Sequence, residues 1–67
     1  MDAAIYCEVT IRLWGRVTRL RFEDLQEGRE CVQRAGAGRM VIRYRDHADC
    51  LSYTFDGKFW NEEGLNL

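Results

Sequence analysis

From Ile5 to Trp14 the chain alternates without a slip. Ile5, Cys7, Val9, Ile11 and Leu13 fall on one side, and Tyr6, Glu8, Thr10, Arg12 and Trp14 on the other. That period of two, held over ten residues, is the pattern of a half-buried strand. Gly15-Arg16 interrupts it and VTRLRF resumes it, with Thr18, Leu20 and Phe22 opposite Val17, Arg19 and Arg21. The spacing predicts a hairpin closed near Gly15, and therefore a sheet with one apolar face to cover.

The next segment, EDLQEGRECVQRAGAG, supplies the cover. Asp24, followed three residues later by Glu27, reads as a capping box with Asp in the Ser/Thr position. Leu25, Gly28, Val32 and Ala35 recur at helical spacing with Cys31 beside them, and Gly36 and Gly38 mark the stop. Glycine inside a helix costs about 1 kcal/mol relative to alanine, so Gly28 marks where the helix lies close on the sheet. RMVIRYR is a third strand, with Met40, Ile42 and Tyr44 on one face and Arg39, Val41, Arg43 and Arg45 on the other. DHAD makes a turn, and CLSYTF is a fourth strand with Leu51, Tyr53 and Phe55 pointing one way. Asp56-Gly57 is the strongest two-residue hairpin signal in the chain, because a type I′ turn needs positive φ at both central positions. KFW is expected as a short fifth strand, and residues 62–67 as a loose polar tail.

The expected fold is α+β: a small antiparallel sheet of four to five strands, ordered β-β-α-β-β with a terminal β, and one helix packed on one face. Its expected core is Ile5, Val9, Ile11, Leu13, Leu20, Leu25, Val32, Ile42, Leu51, Tyr53 and Phe55. With 67 residues, 46% of them apolar, the chain is a single domain, 1–67, near the lower limit for a self-standing core. No apolar run approaches a membrane span, and MDAAIYCEV lacks the features of a signal peptide. A cytoplasmic protein is expected. Cys7, Cys31 and Cys50, odd in number and without CxxC spacing, read as packed thiols rather than a disulfide framework or a zinc site.

If the alternation holds, the uncovered face collects Tyr6, Thr10, Arg12, Trp14, Arg19, Arg21, Arg43 and Arg45. The net charge of −1 hides an asymmetry, since every arginine lies in residues 1–45 and the acids outnumber Lys58 five to one thereafter. Arginines interleaved with aromatics suit a surface that docks on another macromolecule by charge, or one that pairs phosphates and stacks bases. Ordinary cross-strand pairing, with Glu8 among the partners, is the plain alternative. An RRM-like platform is excluded by strand order and by the missing RNP run. Catalysis finds no support. His47 stands with Asp46 and Asp49 in an expected exposed turn, without a partner or a cleft, and GAG at 36–38 follows a helix rather than opening one. No catalytic residue, metal ligand or cofactor is assigned.

The order and local wording of the chain carry a resemblance. The start has the form Met-x-Ala-Ala leading to Glu-Val, carried by Met1, Ala3, Ala4, Glu8 and Val9. A hairpin follows, then one helix entered at Asp24-Leu25, and the ending is Leu-x-Tyr-x-x-Asp-Gly-Lys-x-Trp, carried by Leu51, Tyr53, Asp56, Gly57, Lys58 and Trp60. In these features the chain resembles the small phage-encoded anti-CRISPR proteins of the type I-F class. The resemblance implies a non-enzymatic inhibitor in the cytoplasm of a bacterial host. Its partners would be the backbone subunits of a type I crRNA-guided surveillance ribonucleoprotein, which it would stop from binding target DNA. The implied contact surface is Arg12, Trp14, Arg16, Arg19 and Arg21, with Arg29 and Arg34 on the helix as further candidates and Arg43 and Arg45 as a secondary basic face. A small accessory domain that contacts nucleic acid directly is the alternative. Monomer and dimer both remain open, the latter through an uncovered strand edge.

Overall fold

The computed structural model describes residues 5–46 and 48–65. His47, the N-terminal Met1, Ala3 and Ala4, and the last two residues of the expected tail lie outside them. The elements run β1 (Ile5–Leu13), β2 (Arg16–Phe22), α1 (Leu25–Ala35), β3 (Gly38–Tyr44), β4 (Cys50–Phe55) and β5 (Trp60–Leu65). They form one five-stranded sheet in the order β2-β1-β3-β4-β5, with every ladder antiparallel. This is the α+β architecture expected from the alternation. β2 and β3 flank β1, and α1 carries the chain between them. No helix among the described residues is long and apolar enough to cross a membrane.

The helix begins and ends where its sequence dictates. The Asp24 carboxylate accepts the Gln26 N–H at 2.9 Å, satisfying one of the free donors of the first turn. Gly36, at φ 93°, closes the last turn by donating to the Gln33 carbonyl. Between them Gly28 meets β1, where a Cβ would overlap the Cys7 sulfur and touch Val9. A side chain there would lift the helix off the sheet. Below it the core gathers Cys7, Val9, Ile11, Val32 and Met40, bordered by Phe22, Leu25, Cys31, Ala35, Ile42, Phe55 and Trp60. None of the three cysteines is in a disulfide; Cys7 and Cys50 are buried and Cys31 half-buried.

The expected core needs correction at two positions. Leu13 and Leu20 are 42% and 38% exposed. An 11-residue helix spans about 16 Å, whereas the nine residues of β1 span about 30 Å. The chain also leaves the helix at Gly36 to enter β3 at Gly38, opposite Ile11. Nothing on that face therefore reaches Leu13 at the far end of the hairpin, while Leu20, directly opposite the fully buried Val9, is exposed because it stands on the edge strand β2, to the side of a helix that packs mainly on β1 and β3. Ile5, Leu25, Ile42, Leu51, Tyr53 and Phe55 are half-buried, and Cys7 and Met40 take the central places instead.

The C-terminal end departs from expectation twice. Strand pairing stops at Phe55 and Trp60, so the turn holds four residues and Asp56 is not a central member of a two-residue loop. Its carboxylate instead accepts the N–H groups of Lys58 and Phe59 at 2.9 and 2.8 Å, while Gly57 supplies positive φ at 104°. A side-chain acceptor thus does the work of a main-chain turn bond. Residues 62–65 are not a loose tail, because they pair with β4 as part of β5. The Ser52 hydroxyl donates to Glu63 across that ladder at 3.1 Å, and the Phe55 and Trp60 rings lie 5.1 Å apart.

Candidate binding surface on the first hairpin

The ladder registers sort the arginines by face. Thr10 stands directly between Arg19 of β2 and Arg39 of β3, with Arg12 two residues along on β1 opposite Val17. Glu8 stands between Arg21 and Val41, and Tyr6 beside Arg43. Residues directly opposite in a ladder share a face, so all of these lie on the open face, away from α1. Arg16 is opposite Leu13 and belongs to the other face. Arg29 and Arg34 are exposed on the helix. The sheet therefore divides the arginines named from the sequence: Arg12, Arg19 and Arg21 lie on one side, Arg16, Arg29 and Arg34 on the other. They do not form a single surface.

Charge pairing divides the open face a second time. Near Tyr6 the arginines are paired, three guanidiniums sharing two carboxylates. Glu23 pairs with Arg21 at 3.3 Å and with Arg45, and Glu8 pairs with Arg43. The Arg21 and Arg45 guanidiniums lie 4.0 and 5.0 Å from the centre of the Tyr6 ring, close enough for cation–π attraction. The hydrogen bond from Arg45, helped by the charges of Arg45 and Arg21, holds the Glu23 carboxylate below its ordinary 4.5 despite some desolvation. Because the folded value is depressed, this pairing stabilises the fold at neutral pH and is lost as pH falls below 4.5 through the folded value. Glu23→Gln is therefore expected to flatten the acid limb of a melting-temperature profile. An unchanged acid limb would show that the pairing is absent in solution.

Toward the hairpin tip the pattern reverses. Among the described residues no ion pair reaches Arg12, Arg16 or Arg19. Arg39 keeps one, to Glu63 at 3.3 Å. Arg12, Arg19 and Arg39 line one shallow depression with Thr10, Val17 and Thr54. Arg39 was legible as an open-face residue from the alternation of β3. Its place beside Thr10 was not, because that depends on the pairing of β1 with β3.

At the tip, Leu13 pairs with Arg16, leaving a two-residue turn of Trp14 and Gly15. Both have positive φ, 50° and 80°, as a type I′ turn requires. Trp14 is thus a turn residue and not a member of the open strand face. It is the one non-glycine residue with positive φ among those described, and it is completely exposed, with Val17 beside it 63% exposed. A large side chain is thus held in a sparsely populated backbone region by the turn, without packing to offset the strain.

Among the described residues no three His, Cys, Asp or Glu side chains are grouped to hold a metal. Asp46 and Asp49 are exposed. No protein-family model, no curated protein and no solved structure matches this chain.

Proposed function

We propose that this protein is a non-enzymatic binding protein that docks through the free end of its β1–β2 hairpin, with Trp14 as the anchor and Arg12 and Arg19 as its charged flank. One observation carries the reading: on the open face the arginines with no acidic partner among the described residues, Arg12 and Arg19, lie toward the end of the hairpin capped by a completely exposed tryptophan, while Arg21, Arg43 and Arg45 farther along the same face are paired with Glu23 and Glu8. Tryptophan and arginine dominate the energetics of protein interfaces, and unpaired guanidiniums steer encounter with an acidic or phosphate-bearing partner. The resemblance to type I-F anti-CRISPR proteins supplies the candidate target, the backbone of a type I crRNA-guided complex, whose surface must hold DNA. Occupying it would block target DNA without any chemistry.

A second reading rests on the depression around Thr10. Arg12, Arg19 and Arg39 line that depression with Thr10, a donor set that suits a phosphate, and Trp14 offers a stacking surface. Direct binding to a single strand would then be the function.

The test is capture from a lysate holding a type I complex, using the wild-type chain, Trp14→Asn, and Arg12→Glu combined with Arg19→Glu. Asparagine tolerates the left-handed turn better than tryptophan does. Trp14→Asn is therefore expected to stabilise the fold by about 1 kcal/mol of relieved strain, read as a higher melting temperature, while abolishing capture. Capture unaffected by either variant would sink the docking reading. Direct binding would instead appear as retardation of free DNA or RNA by the protein alone, falling steeply with salt.

A further inference from the structure

The other side of the hairpin carries a different surface. Between α1 and β2 runs a groove of about 480 Å³, floored by Ile11, Leu13, Leu20 and Phe22 and walled by Glu27, Glu30, Cys31, Arg34 and Ala35. Its charges are ordered along its length. The helix starts after the base of β2 and runs back toward the hairpin tip, so Glu27 lies at the base end, Glu30 midway and Arg34 toward the tip. Arg16, opposite Leu13 on this same face, extends the basic end. Among the described residues Glu27, Arg16 and Arg34 have no ion pair, and Glu30 holds only a hydrogen bond from Gln26 at 3.3 Å.

A strip that is acidic at one end, apolar in the middle and basic at the other is complementary to itself under a two-fold rotation. We propose that this strip is the interface of a homodimer, in which Arg16 and Arg34 of each copy lie against Glu27 and Glu30 of the other. Leu13, beyond the end of the helix, and Leu20, on the edge strand beside it, become the apolar centre. The small core points the same way. Its buried apolar side chains are Cys7, Val9, Ile11, Val32, Met40 and Cys50, and a second copy adds burial where a chain of this size has least to spare. The proposal goes beyond the docking reading and uses the opposite side of the sheet. A dimer built this way leaves both open faces outward.

Sedimentation across a concentration series tests it on the full chain. The wild type is expected as a dimer that dissociates on dilution. Arg16→Glu with Arg34→Glu, and separately Glu27→Arg with Glu30→Arg, are each expected to weaken association by about tenfold or more, since like charges then face each other at both ends. An equimolar mixture of the two variants is expected to restore the dimer, because every facing pair is again opposite in sign. A wild type that is monomeric throughout overturns the proposal. So does a dimer that survives both double reversals, which would place the contact elsewhere, such as the β2 or β5 edge. Should either variant fail to fold, methyl resonances of the wild type decide. Concentration-dependent shifts at Leu13, Leu20 and Ala35 support the interface, and shifts confined to Thr10 and Val41 overturn it. Target capture is read separately, so failure of the docking reading leaves these outcomes distinct.

Discussion

Gly38→Ala is expected to be the most damaging single-methyl substitution in this chain. A Cβ at that position would lie 2.7 Å from the Thr10 carbonyl oxygen, 3.0 Å from Ile11 Cγ2 and 3.3 Å from Val32 Cγ1. The first of these is backbone inside the β1–β3 ladder, where Ile11 is directly opposite Gly38, so it cannot rotate away as a side chain would. Relief requires moving the start of β3 or the end of α1. Overpacking that displaces backbone costs about 3 kcal/mol, and a domain this small holds only about 3–5 kcal/mol in total. At roughly 4–8 °C per kcal/mol, the melting temperature should fall by about 15 °C, or the chain should fail to fold. Gly36→Ala is the control. It has open space around its Cβ and a left-handed φ of 93°, so it should cost only about 1 kcal/mol of backbone strain. Equal losses at the two positions would show that Gly38 is not held by this contact.

The second large effect is a reversal of sign. Gly28→Ala places a methyl on the Cys7 sulfur, and the other neighbours, Val9 Cγ2 and Met40 Sδ, are 3.4 and 3.5 Å away. Those two are ordinary contacts; only the sulfur is in the way. In the wild-type background the substitution should therefore destabilise by about 1–3 kcal/mol. With Cys7→Ala already present the obstruction is gone, and the helix-propensity gain of alanine over glycine, about 1 kcal/mol, should emerge as stabilisation. Denaturant midpoints of the four proteins in this cycle measure the coupling directly. The same sign in both backgrounds would mean that α1 does not press on β1 at Gly28. Burial also pushes the Cys7 thiol pKa up, in keeping with a sulfur that acts as packing rather than as a nucleophile.

The candidate site was partly legible. A run containing Arg12, Arg16, Arg19 and Arg21 with no acid drew attention to the first hairpin, and the alternation placed Arg12, Arg19 and Arg21 on one face. It placed Trp14 there as well, because a turn residue continues the count of two without belonging to the strand. Which arginines are free depends on acids distant in sequence, Glu8 for Arg43 and Glu23 for Arg45, and no local pattern reports that. Arg29 and Arg34 could not be joined to the hairpin arginines, since the sheet stands between them.

Local rules determined much of the fold. The period of two assigned faces along β1 to β4, though not to Arg16 and Gly38 at the strand starts. The Asp24 cap and Gly36 stop bounded the helix, and Gly28, costly in a helix, announced close packing before any contact was visible. Each signal is set by backbone geometry within a few residues, so the chain carries it unaided. The tertiary structure decided what depends on lengths meeting in space. An 11-residue helix covers about half the length of β1, which leaves Leu13 exposed, and it packs mainly on β1 and β3, which leaves Leu20 on the edge strand β2 exposed beside the buried Val9. β4 turns the polar segment from Trp60 to Leu65 into a strand by offering its open edge. Ladder registers bring Arg12, Arg19 and Arg39 beside Thr10, and ion pairs across the sheet leave Arg12 and Arg19 as the open-face arginines with no acidic partner among the described residues.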